Sequence, residues 1–382
     1  PVVHRRVPGK FWARATRHLR RCATSFDRNA MQTKARSNLG LCTCLLVLWN
    51  AQTEGVDVAE LRGTYENPRP IVGIVSQPLG EESNQSYIAA SYVKWIESSG
   101  ARVAPLIFDR PVQELRATFE AINAIVFPGG DASLSVDSAY FQTLKLLFEW
   151  TKEANSMGDY FPLYGACLGL EALAILVSGN HSILSNTNAQ DDPVPLHLAT
   201  RTADSPFLEY LGPEQVEQVL QKPIAYENHV KGLLVDSYDA DQRLRNTFRL
   251  LTVSYDRNGQ AYVSSMEGKD APILALQFHP EKNAYEWNTE EHIPHSLNAV
   301  EFSQRIGDYV GKLARNSKHR PTSSSQERRM LIYRYPVTYT GYSRQTGVES
   351  TFEQEYRFGP ASQDEHATPS NRANQTEARH SV

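Results

Sequence analysis

Two short segments carry side chains able to do covalent chemistry. Gly165-Ala166-Cys167-Leu168-Gly169 sets a thiol between glycines, and His279-Pro280-Glu281 sets a carboxylate two residues after an imidazole. The first segment lies between an apolar run that reads as a strand and a run that reads as a helix over Leu168 to Val177. A sharp strand-to-helix turn lifts a nucleophile above a sheet, and flanking glycines let the backbone bend where a Cβ would clash. The thiol then stands at a helix N-terminus, whose dipole favours thiolate. The same turn aims the Leu168 N–H at an oxyanion formed on an attacked carbonyl. The turn at Gly129-Gly130 is placed to offer a second donor from Gly130. His279 is suited to take the thiol proton and return it to a leaving amine. Glu281 is expected to reach the far ring nitrogen along an extended chain, as the third member of a triad does.

These groups need a scaffold that ends several strands at one place. Ile71–Val75 reads as a β-branched strand, Tyr87–Ser98 as a helix, Arg102–Phe108 as a strand and Val112–Ala121 as a helix. Ala124–Phe127 reads as a strand closed by Pro128-Gly129-Gly130, Tyr140–Ala154 as a helix, and Phe161–Tyr164 as a strand running into the cysteine turn. The alternation implies an α/β fold, a parallel-centred sheet with helices on both faces, with function at the carboxyl ends of the strands. Farther on, Phe248–Tyr255 and Ala261–Met266 read as a hairpin, Ile273–Phe278 as a strand, and Ser296–Leu313 as a closing helix.

The ends differ from this body in charge. Residues 1–55 carry 10 basic and 2 acidic side chains, residues 56–316 carry 20 and 34, and residues 317–382 carry 9 and 7. An acidic body gives no footprint for nucleic acid or for an anionic membrane. From Met31 a short basic segment leads into an apolar run over Leu39–Trp49, too short to span a bilayer stably. Residues 31–55 are therefore expected to be a signal peptide, residues 1–30 an upstream extension, and residues 317–382 a largely disordered tail. Cys22, Cys42 and Cys44 fall at or before the apolar run, leaving Cys167 alone in the body. Sequons at Asn84, Asn180 and Asn374 agree with the secretory pathway.

The two chemical segments resemble the signatures of the γ-glutamyl hydrolase family, within the class I glutamine amidotransferase-like superfamily. The resemblance rests on Gly165-Ala166-Cys167-Leu168-Gly169-Leu170-Glu171 and on Gln277 through Trp287. It also takes in Pro128-Gly129-Gly130, Tyr226-Glu227-Asn228-His229 and Ser265-Met266-Glu267-Gly268, and runs over about residues 70–316, the expected catalytic domain. Amidotransferases usually carry Gln at the position of Glu171. Ala166 stands where Thr is common, and Phe278 where Trp is common. The resemblance implies a flavodoxin-like fold and a cysteine hydrolase cleaving γ-glutamyl amides of poly-γ-glutamates, folylpolyglutamates foremost. Cys167 is then the nucleophile, His279 the proton carrier and Glu281 its partner, with His229, Glu171 and Gly129 at the substrate. It further implies a homodimer; the chemistry calls for no cofactor or metal, and the expected signal peptide points to the secretory pathway, with an extracellular, vacuolar or lysosome-like destination. The alternatives are a glutaminase module and an inactive binding protein of the same fold.

Overall fold

A computed structural model describes residues 67–80, 84–199, 204–343 and 348–359. The expected extension at 1–30 and signal segment at 31–55 lie outside these residues, as does the end of the tail. In chain order come β1 (Ile71–Val75), β2 (Gln77–Pro78), β3 (Ser86–Ala89), α1 (Ala90–Ser98), β4 (Arg102–Leu106) and α2 (Val112–Phe119). Then follow β5 (Ala124–Phe127), α3 (Ala139–Ser156), β6 (Leu163–Ala166), α4 (Leu168–Ser178), β7 (Ser185–Val194) and β8 (His197–Leu198). The chain continues through α5 (Pro206–Gln221), β9 (Ala225–Gly232), α6 (Val235–Ala240), α7 (Gln242–Thr247), β10 (Phe248–Tyr255), β11 (Ala261–Gly268) and β12 (Ile273–Leu276). It closes with α8 (Lys282–Tyr285), α9 (Leu297–Arg315), α10 (Ser324–Met330), β13 (Val337–Tyr339), β14 (Tyr342–Ser343), β15 (Val348–Glu349) and β16 (Gln354–Phe358).

The main sheet has eight strands in the order β4-β1-β5-β6-β12-β11-β10-β8. The run from β4 to β12 is parallel, and β11, β10 and β8 continue it antiparallel. This is the parallel-centred α/β sheet expected. Its central strands are apolar throughout because alternate residues feed two cores. Ile71 and Val75 of β1 join Phe119, Leu144, Phe148 and Leu173 on one face. Val72 and Ile74 join Tyr92, Trp95, Phe302 and Ile306 on the other. Each such side chain contributes about 1.5–3 kcal/mol on burial, so losing either helical layer would expose the sheet. Helix α9 opens on Ser296, whose hydroxyl accepts the Ala299 N–H, and α3 opens likewise on Ser138.

The sequence reading differs from the structure in three places. Tyr87–Ser98 is not one helix: Ser86–Ala89 is extended, and the helix starts at Ala90. Past Asn180 the structure adds α5 and the long β7–β9 pair, broken by register shifts at Ala189. Most of all, the tail carries helix and strand within its described residues, 317–343 and 348–359. Its β16 pairs antiparallel with β3, β13 pairs with β16, and Ile332 and Phe358 are buried. Tail apolar residues are too widely spaced to show a period, because β3 and α1 supply the face that covers them.

Candidate active site

Cys167 joins β6 to α4 with φ +48° and ψ −106°, a conformation costing a side-chain-bearing residue about 1–3 kcal/mol. The surrounding backbone enforces it. The Cys167 N–H donates to the Leu276 carbonyl at 2.8 Å, and the Cys167 carbonyl accepts the Glu171 N–H at 3.1 Å. A Cβ on Gly169 would lie 2.2 Å from the Phe127 carbonyl oxygen, and one on Gly165 would lie 2.9 Å from Gly169 backbone. The two glycines thus let β5, β6 and the first turn of α4 meet at backbone distance, which is the turn predicted from their spacing.

His279 stands beside this turn. Its Nδ1 is 2.7 Å from Glu281 Oε1 and its backbone N–H donates to the Tyr226 carbonyl at 2.9 Å. An ionised carboxylate only accepts, so Nδ1 carries the proton and Nε2 is left basic. The route to this contact is not the extended chain expected. β12 ends at Leu276, and Glu281 has helical φ and ψ at the mouth of α8, so a turn through Pro280 brings the carboxylate back to the ring. Glu281 is fully buried. Tyr92 Oη accepts the Gly129 N–H at 2.7 Å and lies 3.5 Å from His279 Nδ1.

Gly129 links the pieces. A Cβ there would fall 2.4 Å from His279 Cε1, 2.9 Å from Tyr92 Oη and 3.0 Å from Cys167 Cβ. The turn at the end of β5 therefore touches both the imidazole and the cysteine. Leu168 opens α4 directly after the thiol. Cys167, His279, Glu281, Gly129, Gly130 and Leu168 are all brought to the carboxyl ends of β5, β6 and β12.

A second layer comes from β9 and α4. Cys167 Sγ lies 3.9 Å from the Asn228 carbonyl. His229 Nε2 is 3.3 Å from Glu227 Oε2, and its Nδ1 meets the Lys231 carbonyl at 2.7 Å and Thr187 Oγ1 at 3.0 Å. Glu227 is also held by the Ser264 hydroxyl, and Glu171 by Gln277 Nε2 at 3.1 Å. Burial opposes charge on His229, but Glu227, Glu171 and the Lys231 carbonyl outweigh it and raise its pKa above the ordinary histidine value. Burial raises Glu171 to about 6, against the pull of His229, Gln277 and Lys231. Burial, then Glu171, Glu227 and Glu281, pushes the Cys167 thiol well above its usual range. The Leu168 N–H acts in the direction expected of a helix terminus, yet it is outweighed. The expected thiolate at rest is thus replaced by a buried thiol.

Sequence reasoning missed Tyr92, Glu227 and Gln77, whose Nε2 donates to the Gly129 carbonyl at 2.9 Å, as members of the site. Tyr92 recurs at helical spacing with Ile88, Trp95 and Ile96 and so reads as core. Among the described residues no group of His, Cys, Asp and Glu is arranged to hold a metal ion. A cavity of about 230 Å³ between α2 and the tail is lined by Arg110, Glu114, Arg329 and Arg334 and contains none of the reacting residues.

Against this geometry, the family model described as Peptidase C26 matches residues 70–281. The chain belongs to the Peptidase C26 family. Gamma-glutamyl hydrolase B of Dictyostelium discoideum is 33% identical over 290 residues, covering 75% of this chain and 83% of that protein. Gamma-glutamyl hydrolase 1 of Arabidopsis thaliana is 36% identical over 285 residues, covering 72% and 80%. The human gamma-glutamyl hydrolase is 32% identical over 323 residues, covering 84% and 98%. The family match begins at β1 and ends on Glu281, so it spans both segments that carry the chemistry. The human relative's match covers a longer share of this chain than the family model does.

Proposed function

We propose that the protein is a cysteine hydrolase of γ-glutamyl amide bonds in poly-γ-glutamates, folylpolyglutamates foremost. The observation that carries this is a cysteine on a strained turn whose neighbouring imidazole is oriented by Glu281 at 2.7 Å, in a chain related to γ-glutamyl hydrolases. His279 Nε2 takes the Cys167 proton as Sγ bonds to the γ-carbonyl carbon. The carbonyl oxygen becomes an oxyanion, received by the Leu168 and Gly130 N–H groups. As the C–N bond breaks, the imidazolium returns its proton to the leaving amine, leaving a thioester. Water gives a proton to His279 as its oxygen bonds to the thioester carbon; the C–S bond then breaks, the imidazolium returns the proton to Cys167 Sγ, and the γ-carboxylic acid is released. His229, Glu171 and Gly129 line the substrate side of this centre, and no step calls for a metal or organic cofactor.

The raised thiol pKa fits this order. Proton transfer to His279 accompanies attack rather than preceding it, so the nucleophile is generated only when a carbonyl is in place. The substrate is a small polyanion, the protein acts as a homodimer, and it reaches an extracellular or vacuole-like compartment through the secretory pathway. Among the described residues no helix is long and apolar enough to cross a membrane.

The test is incubation of the purified protein, with residues 317–359 retained, with folylpolyglutamate, followed by chromatography of chain lengths. Wild type should shorten the chain and Cys167→Ala should not. Equal cleavage by both would remove Cys167 from the mechanism, and ammonia release from free glutamine without chain shortening would favour a glutaminase.

A further inference from the structure

We infer that Gln77 is a positioning residue that sets the direction of the Gly130 N–H, an inference that rests on the proposed role of that N–H at the oxyanion. Gln77 is 2% exposed, and its Nε2 donates to the Gly129 carbonyl at 2.9 Å and to the Pro128 carbonyl at 3.3 Å. The Gly129 carbonyl and the Gly130 N–H belong to one planar trans peptide and point in opposite directions. Tying that carbonyl to Gln77 therefore turns the N–H away from Gln77. Gly130 backs directly on the same amide: at φ +154°, a Cβ on it would lie 2.0 Å from Gln77 Oε1. On the other side, Tyr92 holds the Gly129 N–H. Both peptide units of the turn are thus fixed by buried side chains from outside the loop, and neither Gln77 nor Tyr92 is required to touch substrate.

The sheet explains why Gln77 can carry this function. It sits in β2, opposite Tyr87 of β3, and Tyr87 in turn faces Arg357 of β16. β2 is only two residues long and would not hold a side chain in place alone. The four-stranded sheet β13-β16-β3-β2 makes it rigid, so the tail braces the turn through β3 and Gln77. A glutamine is needed because two carbonyls require a donor: a carboxylate there would repel them, and a thioether would leave them unpaired.

The experiment compares the full chain carrying Gln77→Glu or Gln77→Met with wild type, using three readouts. These are kcat and KM on folylpolyglutamate, inhibition by a γ-glutamyl aldehyde, and iodoacetamide alkylation of Cys167 at pH 9. Cys167 Sγ adds to the aldehyde carbon as its proton passes to His279 and the carbonyl π bond opens, placing negative charge on the oxygen where the tetrahedral intermediate would carry it. Both variants should lose about 10²-fold in kcat with KM within about three-fold, and should bind the aldehyde weaker by a similar factor. Their alkylation rates should match wild type. A kcat within about three-fold of wild type, or aldehyde binding as tight as wild type, would overturn the role of Gln77 while leaving the proposed activity standing. A parallel fall in alkylation would also overturn it, since Gln77 would then be holding the whole site together. Wild type that shortens the chain but does not bind the aldehyde would instead remove the oxyanion reading beneath it.

Discussion

Cys167 is buried, with Glu171, Glu227 and Glu281 around it, and burial first and then these carboxylates keep the thiol protonated. Its resting reactivity is therefore expected to be low: alkylation by iodoacetamide should be slow at pH 7 and climb through the alkaline range, measured by mass spectrometry. A rate already at its plateau by pH 7 would contradict this environment. Glu281, 2.7 Å from His279 Nδ1, has a separate task in the proposed mechanism, fixing the His279 tautomer. Glu281→Gln keeps the shape but allows the ring to carry its proton on the nitrogen that should be basic. A kcat lower by about 10³–10⁴-fold, with KM little changed, is expected from steady-state kinetics. At this scale Cys167, His279 and Glu281 were legible because each segment is local and its residue types have few other uses in that order. Tyr92, Gln77 and Glu227 were not, because their roles arise from which backbone groups the fold brings beside them. A buried tyrosine on a helix has the same sequence signature whether its hydroxyl holds the Gly129 N–H or none.

Elements built from continuous apolar runs were read with small errors at their ends, because β1, β5 and α4 are buried on all sides and their composition says so. The break at Ala90 was not readable, since Ser86–Ala89 becomes a strand only by pairing with β16 and β2. Close approach at the elbow leads to a test of packing. Gly169→Ala would set a Cβ 2.2 Å from a backbone oxygen that cannot swing aside. A destabilisation of about 1–3 kcal/mol or more is expected, seen as a lower denaturant midpoint. The tail gives another. A chain ending at Asn316 loses Ile332 and Phe358 from the core, at about 1.5–3 kcal/mol each. It also frees Glu286, whose Oε2 accepts the Glu353 N–H at 2.6 Å. Its thermal midpoint should fall well below that of the chain ending at Gly359; equal midpoints would show that these strands add nothing to stability.

Across the whole molecule, the groups with raised pKa values point to an acidic stability optimum. Burial raises Glu286 to about 7, with Glu281 adding to it and Lys282 and the Glu353 N–H opposing, while Glu171 is raised to about 6. Each binds its proton more tightly folded than unfolded, so its contribution is complete below about pH 4.5 and is lost as pH rises through the folded value. The raised His229 has the same sign. Asp191 and Glu327, with lowered values, lose their contributions only in stronger acid. The thermal midpoint should therefore be higher near pH 5 than at pH 8, by calorimetry. Glu286→Gln should reduce that difference, raising stability at pH 8 by up to roughly 3 kcal/mol and leaving pH 5 nearly unchanged. An unchanged pH profile in the variant would show that Glu286 does not titrate in this range.

The pairing of β3 with β16 also orders events in time. On the ribosome, β3 appears roughly 270 residues before its partner, a wait of about 15–50 s at ordinary elongation rates. Throughout that interval the edge of β3 stands open, available to other chains, and β2 has only half of its support. Among the described residues, the last strand to be synthesised is the one that closes the brace behind Gln77. A nascent or prematurely terminated chain can thus hold Cys167, His279 and Glu281 while the support behind Gln77 is still open, so that the proposed setting of the Gly130 N–H comes only once β16 has been made.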